Sequence, residues 1–223
     1  MKKIHLFFFF LISTLSFSQS DALKENIKKA YLLEKNKNYT DAKKLFLAFE
    51  KQNITHFSEK EFITVYLLFC DFMISEDLKK LDAALKISKK WDDRKPYQTE
   101  LLLKIYSANY TFLNDKSEPK KAITKALEGY QIPDFNQAKI TTQIQYLSDI
   151  SALYRENKNP FEAVSFGEKA LRLSIKKNGE NNDVVAEYYN LLGDLYIESY
   201  NPTKANKYYQ KAIAIWGKLY LNN

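Results

Sequence analysis

Cysteine is almost missing from this chain of 223 residues. Cys70 stands alone, so no disulfide can close within one chain, whatever the redox compartment. Histidine is as scarce, with His5 and His56 only, and the two residue types together cannot assemble a metal site. Glycine and proline number five each, which leaves no room for long flexible linkers. The glycines are isolated at Gly129, Gly167, Gly179, Gly193 and Gly217, so no glycine-rich phosphate loop exists. No block of one charge occurs either. The 34 Lys and Arg are interleaved with 27 Asp and Glu, for a net charge of +7, and nucleic acid is not an expected partner.

What the chain has begins with one apolar run. "MKKIHLFFFFLISTLSFSQ" opens with Lys2 and Lys3, continues with an apolar stretch from Leu6 to Leu15, and offers small residues at Ser16 and Ser18. That is the layout of a secretory signal, too short for a comfortable bilayer span of about 20 residues. Residues 1–18 are read as a signal peptide, with the mature chain starting near Gln19, and an uncleaved anchor is the alternative. Without Lys2 and Lys3 the charge falls from +7 to +5. No integral membrane segment is expected in the mature chain.

The rest, at 45% hydrophobic and 27% charged over the whole sequence, has the composition of a folded soluble protein. It also repeats. Five helix-like pairs follow one another, at roughly 21–53, 58–91, 96–131, 134–178 and 183–221. The first helix of each carries a small residue: Ala30, Cys70, Ala108, Ser151 and Gly193. The second carries an alanine: Ala42, Ala84, Ala122, Ala163 and Ala205. Small side chains let two antiparallel helices approach closely. Gly193 is expected to meet Ala205, with Leu192, Tyr196 and Tyr209 filling the space around the contact. The wider separations of Cys70 from Ala84 and Ala108 from Ala122 predict turns about two residues longer in the middle pairs. Thr40, Ser75, Ser117, Asn159 and Asn201 are the expected caps of the second helices. Pro160 and Pro202 fit the first helical position. Ser58 with Glu61, Asp134 with Gln137, and Asp183 are expected to start first helices.

At these residues the sequence resembles a tetratricopeptide repeat protein. The fifth pair carries the motif best, in Tyr189, Leu192, Gly193, Tyr196, Ala205, Tyr209 and Ala212. The fourth keeps Leu147, Ile150, Ser151, Tyr154, Ala163 and Ala170 but has Gly167 where an aromatic is usual. The second and third pairs are degenerate. "EKALRLSIKKNGENNDVVAEYYNLLGDLY" is also similar to the repeats of about 42 residues in kinesin light chains. The resemblance implies an all-α fold, a right-handed α-solenoid of about five antiparallel helix pairs. It implies protein or peptide binding in a concave groove lined by the first helices.

Counting from the small residue, the face of each first helix that would line this groove carries Ile27, Tyr31 and Glu34; Leu67, Asp71 and Ile74; Ile105, Asn109 and Phe112; Ser148, Ala152 and Arg155; Asn190, Asp194 and Ile197. The basic clamp by which related proteins hold chaperone tails is missing, because Ile27, Leu67 and Ile105 stand in its places. An apolar or amphipathic segment is expected to dock on Leu67, Ile74, Ile105 and Phe112, with Asn109 bonding its backbone. The alternative is that these side chains are core. At the far end, Ile215, Trp216, Leu219 and Tyr220 are expected to form an apolar docking surface, either for self-association through the last helix or for a continuation of the chain. Such a continuation would make the array the periplasmic sensory portion of a longer signalling protein. The phenylalanine-rich leader resembles those of Gram-negative bacteria, which places the mature protein in the periplasm.

Nothing in the sequence assembles a catalytic constellation. His56 has no companion, and Cys70 reads as a buried, inert thiol. The chain is read as a binding module, with no cofactor and no metal.

Overall fold

A computed structural model describes residues 21–51, 57–92 and 94–220. The expected signal peptide and His56 lie outside them. The described residues are all-α, without a strand. They fall into two compact units, residues 1–93 and 94–223.

In the first unit, helix α1 covers residues 21–35, followed by α2 (Tyr39–Glu50), α3 (Phe57–Ser75) and α4 (Leu78–Ser88). The second unit holds α5 (Pro96–Asp115), α6 (Pro119–Tyr130), a short 3-10 turn at Phe135–Gln137, α7 (Ile140–Glu156), α8 (Pro160–Asn178), α9 (Asp183–Glu198) and α10 (Pro202–Tyr220). Consecutive helices form hairpins, and in the second unit the hairpins stack, α7 on α6 and α9 on α8.

One turn chemistry closes all five hairpins among the described residues. Lys37, Glu76, Ser117, Lys158 and Tyr200 each adopt a left-handed conformation, with φ between 54° and 59°. In four turns the next residue donates its N–H to a carbonyl five residues back, as Asn159 does to Tyr154 and Asn201 to Tyr196. That is the Schellman arrangement, which satisfies helix-end carbonyls. Around Glu76 the simpler form occurs, with Glu76 N–H donating to Phe72. Glycine is the usual residue here because it meets no Cβ penalty, yet none of the five positions holds one.

These turns correct the expected spacing. Ala42, Ala122, Ala163 and Ala205 each follow the left-handed residue by five, and in α4 that place belongs to Leu81, not Ala84. Seven residues before it stand Ala30, Ser151 and Gly193, but also Phe69 and Tyr110 in α3 and α5. The middle turns are therefore no longer than the others. Large side chains hold these places in the middle pairs, and the nearest small residues, Cys70, Ala84 and Ala108, stand one to three positions away. Ala108 accordingly lies half-buried, while Ala30, Ala42, Cys70, Ala84, Ala122, Ser151, Ala163, Gly193 and Ala205 are buried.

Three expected caps move with the turns. Asn38, Asp77 and Glu118 precede α2, α4 and α6 in place of Thr40, Ser75 and Ser117. Asn38 accepts from the Asp41 N–H and Asp77 from that of Lys79. Ser75 instead donates back to the Asp71 carbonyl. Asp134 starts no capping box: it is buried, accepts an ion-pair bond of 2.5 Å from Arg94 and is hydrogen-bonded by Thr99. Asn182 caps α9, leaving Asp183 to accept from the Trp216 indole at 2.8 Å.

Close approach within the hairpins follows the small residues. A Cβ on Gly193 would lie 2.3 Å from a ring carbon of Tyr209, so the tyrosine ring, rather than Ala205, occupies the space glycine leaves. Ser151 donates to the Ala163 carbonyl at 2.7 Å, holding α7 on α8.

Candidate functional site: the first-helix wall

In the second unit the first helices α5, α7 and α9 are joined to one another by side chains about one repeat apart. Thr142 donates to Glu100 at 2.7 Å, Tyr110 to Asp149 at 2.6 Å and Asn114 to Glu156 at 2.9 Å, tying α7 to α5. Ser148 and Tyr188 share a bond of 2.7 Å, and Arg155 reaches Glu198 through Nε at 2.8 Å and Nη2 at 2.6 Å, tying α9 to α7. Burial raises the Asp149 carboxyl above the usual range, against the lowering effect of its bonds from Tyr110 and Gln145.

The wall these helices present differs in part from the expected one. Counting from Tyr110 instead of Ala108, the α5 row is Ser107, Thr111 and Asn114, and Thr111 is exposed. Ile105 and Asn109 are buried, so neither lines a groove; Ile105 is core because it sits on the opposite side of the turn of helix. Both amide atoms of Asn109 lack a hydrogen-bond partner among the described residues. Phe112 is half-buried, with the Lys116 ammonium 5.2 Å from its ring centre. In α7 and α9 the expected rows stand at the surface: Ala152 is exposed, Asn190 and Asp194 half-buried, and Ile197 50% exposed. Asp194 accepts from the Tyr209 hydroxyl at 2.7 Å. In the first unit Leu67 is half-buried, Ile74 is exposed, and Asp71 is paired with Lys43 at 2.5 Å.

The expected terminal docking surface is mostly closed. Ile215 is buried, and Trp216 and Leu219 pack on the cluster of Leu192, Leu195 and Ala212. Only Tyr220, 63% exposed, remains open among the four. The reason lies in the repeat. Gly167 and Ser174 of α8 stand 42 residues before Tyr209 and Trp216, and a Cβ on Gly167 would lie 3.1 Å from Leu192 and 3.4 Å from Leu195 of the following helix. In α10 the chain's own rings take that space.

Charge is sorted between the two sets of helices, which the interleaved sequence hides. In the second unit α5, α7 and α9 carry eight acidic and two basic side chains. Their partners α6, α8 and α10 carry eleven basic and three acidic ones. Among the described residues no His, Cys, Asp and Glu side chains gather as a metal site, and no helix is long and apolar enough to cross a membrane. Cys70 is buried, which pushes its thiol up to about 12.

The family model for the tetratricopeptide repeat matches residues 142–218, the span of α7 to α10. These hairpins are tetratricopeptide repeats. Several solved structures are similar in fold over more of the chain than the matched residues. BtubC (BKLC) from P. vanneervenii is 18% identical, with 92% of this chain and 75% of that one covered, at a TM-score of 0.55. A putative kinesin light chain from Podosopora anserina is 13% identical over 89% and 97%, at 0.60. PlcR of Bacillus thuringiensis in its apo form is 14% identical over 94% and 77%, at 0.65. A second PlcR structure holds the peptide PapR7 and DNA. No curated protein matches in sequence. At these identities the structural likeness shows the fold alone. Tetratricopeptide arrays are scaffolds for protein–protein interaction, and a stack of this kind offers an extended surface for a partner.

Proposed function

We propose that this protein is an exported interaction module whose first-helix wall holds an extended, basic segment of a partner protein. The row on α7 and α9 carries the reading. Ser148, Ala152 and Arg155 on α7 are repeated 42 residues on by Asn190, Asp194 and Ile197 on α9, and Ala152 and Ile197 reach solvent. Ala152 leaves room for a backbone to come close. Asn190 has both a donor and an acceptor to offer a peptide unit, and Ile197 gives a partner's side chain an apolar contact. The excess of acids on these helices favours lysine and arginine in the segment and speeds encounter with it. The peptide in the PlcR complex supports a segment as the ligand class. Export rests on the leader of residues 1–18, and a fusion of that leader to a reporter active only outside the cytoplasm tests it.

The wall is tested by selecting binders to the purified chain from a random-peptide library. Enriched peptides rich in Lys and Arg should lose at least about tenfold in affinity on the A152W and N190A variants, while the melting temperature holds. Peptides that bind both variants like the wild type would place the site elsewhere.

A further inference from the structure

The second helices of the same unit carry a feature that the peptide wall does not use. Helices α6, α8 and α10 are joined to one another as the first helices are: Lys169 donates to the Tyr130 hydroxyl at 3.1 Å, and Tyr208 to Glu168 at 3.0 Å. Of the eleven basic side chains on these helices, nine are exposed. Of the three acids, Glu162 alone is exposed, because Glu128 is paired with Lys125 and Glu168 accepts from both Tyr196 and Tyr208.

The cations are also aligned. Lys204, Lys207, Lys211 and Lys218 of α10 are spaced by three, seven and fourteen residues, which is one face of a helix. Lys169 and Lys176 stand 42 residues before Lys211 and Lys218, so the repeat brings the two rows into correspondence. Lys120 and Lys121 lie in the first turn of α6, and that turn contains no acid. Lys121 pairs with Glu118, the residue that caps α6, while the exposed Lys120 opposes the helix dipole and has no such local gain. On α8, Phe161 lies 68% exposed on the same face as Arg172 and Lys176, at spacings of eleven and fifteen.

We infer that the second-helix face of residues 119–220 docks on an anionic lipid surface. The lysines supply the attraction to the headgroups, and Phe161 enters the interfacial region, the combination by which helices lie on membranes without spanning them. The exposed phenylalanine, which a polyanionic backbone would not engage, favours a bilayer surface over nucleic acid. The face belongs to the second helices, although Lys204 and Lys211 also lie over the rings of Tyr196 and Tyr189 of α9.

The test is co-sedimentation of the full chain with vesicles of phosphatidylcholine, with and without phosphatidylglycerol. Binding should require phosphatidylglycerol and be released by salt. K176E/K211E/K218E should weaken it by at least about tenfold and F161S by a few fold, both with unchanged circular dichroism, whereas K60E on α3 should not alter it. Equal binding to both vesicle types, or a triple variant that binds like the wild type, would overturn the inference. So would failure to bind vesicles alongside tight binding to duplex DNA, which would reassign the face to a polyanion.

Discussion

The third and fifth hairpins each set a glycine against a tyrosine ring, but the ring comes from different places. In α9–α10 the first helix supplies the small residue, Gly193, and the second supplies the ring, Tyr209. In α5–α6 the place twelve residues before the buried alanine is held by Tyr110, and the glycine of that hairpin, Gly129 on α6, faces Tyr146 of α7 in the next hairpin. A Cβ on Gly129 would lie 2.0 Å from the Tyr146 hydroxyl oxygen and 2.9 Å from Cβ of Tyr106. In both places a ring fills the gap a glycine leaves, but Tyr209 comes from the same hairpin as Gly193 and Tyr146 from the hairpin after Gly129.

The comparison predicts unequal costs for the same substitution. Gly129→Ala should be the more damaging, because Tyr146 is buried and its hydroxyl donates to the Ala126 carbonyl at 3.2 Å. Overpacking and loss of that bond should outweigh the helix-propensity gain of about 1 kcal/mol, for a net loss of about 2–3 kcal/mol in urea unfolding. Gly193→Ala should cost about 1–2 kcal/mol, since the half-buried Tyr209 ring can swing outward once its bond to Asp194 breaks. In a Tyr209→Ala background the same change should become neutral or stabilising, and a cost that persisted there would show that the ring is not the obstacle.

Smaller effects separate the turns from the wall. Lys158→Gly should stabilise by about 0.5–1 kcal/mol, because a left-handed residue loses its Cβ penalty. Calorimetry showing a loss would contradict the turn assignment. Asp149 titrates in the opposite sense to a salt-bridged acid. Its folded carboxyl keeps its proton to higher pH than the unfolded one. Stability from this group therefore falls as pH rises from the ordinary carboxylate value through the raised one. Asp149→Asn should flatten that part of the pH profile of the urea midpoint.

Much of the fold was legible because the outer hairpins follow the simplest rule. Ala30 with Ala42, Ser151 with Ala163 and Gly193 with Ala205 are twelve apart, and all are buried. The middle hairpins hid because Leu81, Phe69 and Tyr110 break the small-residue pattern, and because no glycine marks any of the left-handed turns. That shift of two residues in α5 carries Ile105, Asn109 and Phe112 onto the expected groove, whereas in α7 and α9 the small residue stands seven before the left-handed turn and the expected rows need no shift. The sorting of charge was invisible for a different reason. Acidic and basic helices alternate along the chain, so a linear reading sees a mixture.

Cysteine labelling in a Cys70→Ser background tests the wall most directly. Single cysteines at Thr111, Ala152 and Ile197 should react with a thiol reagent at close to the rate of the unfolded chain, and cysteines at Ile105 and Asn109 should be protected by at least about a hundredfold, as buried sites that open only by unfolding. Equal labelling at Ile105 and Thr111 would contradict the register on which the whole wall is built.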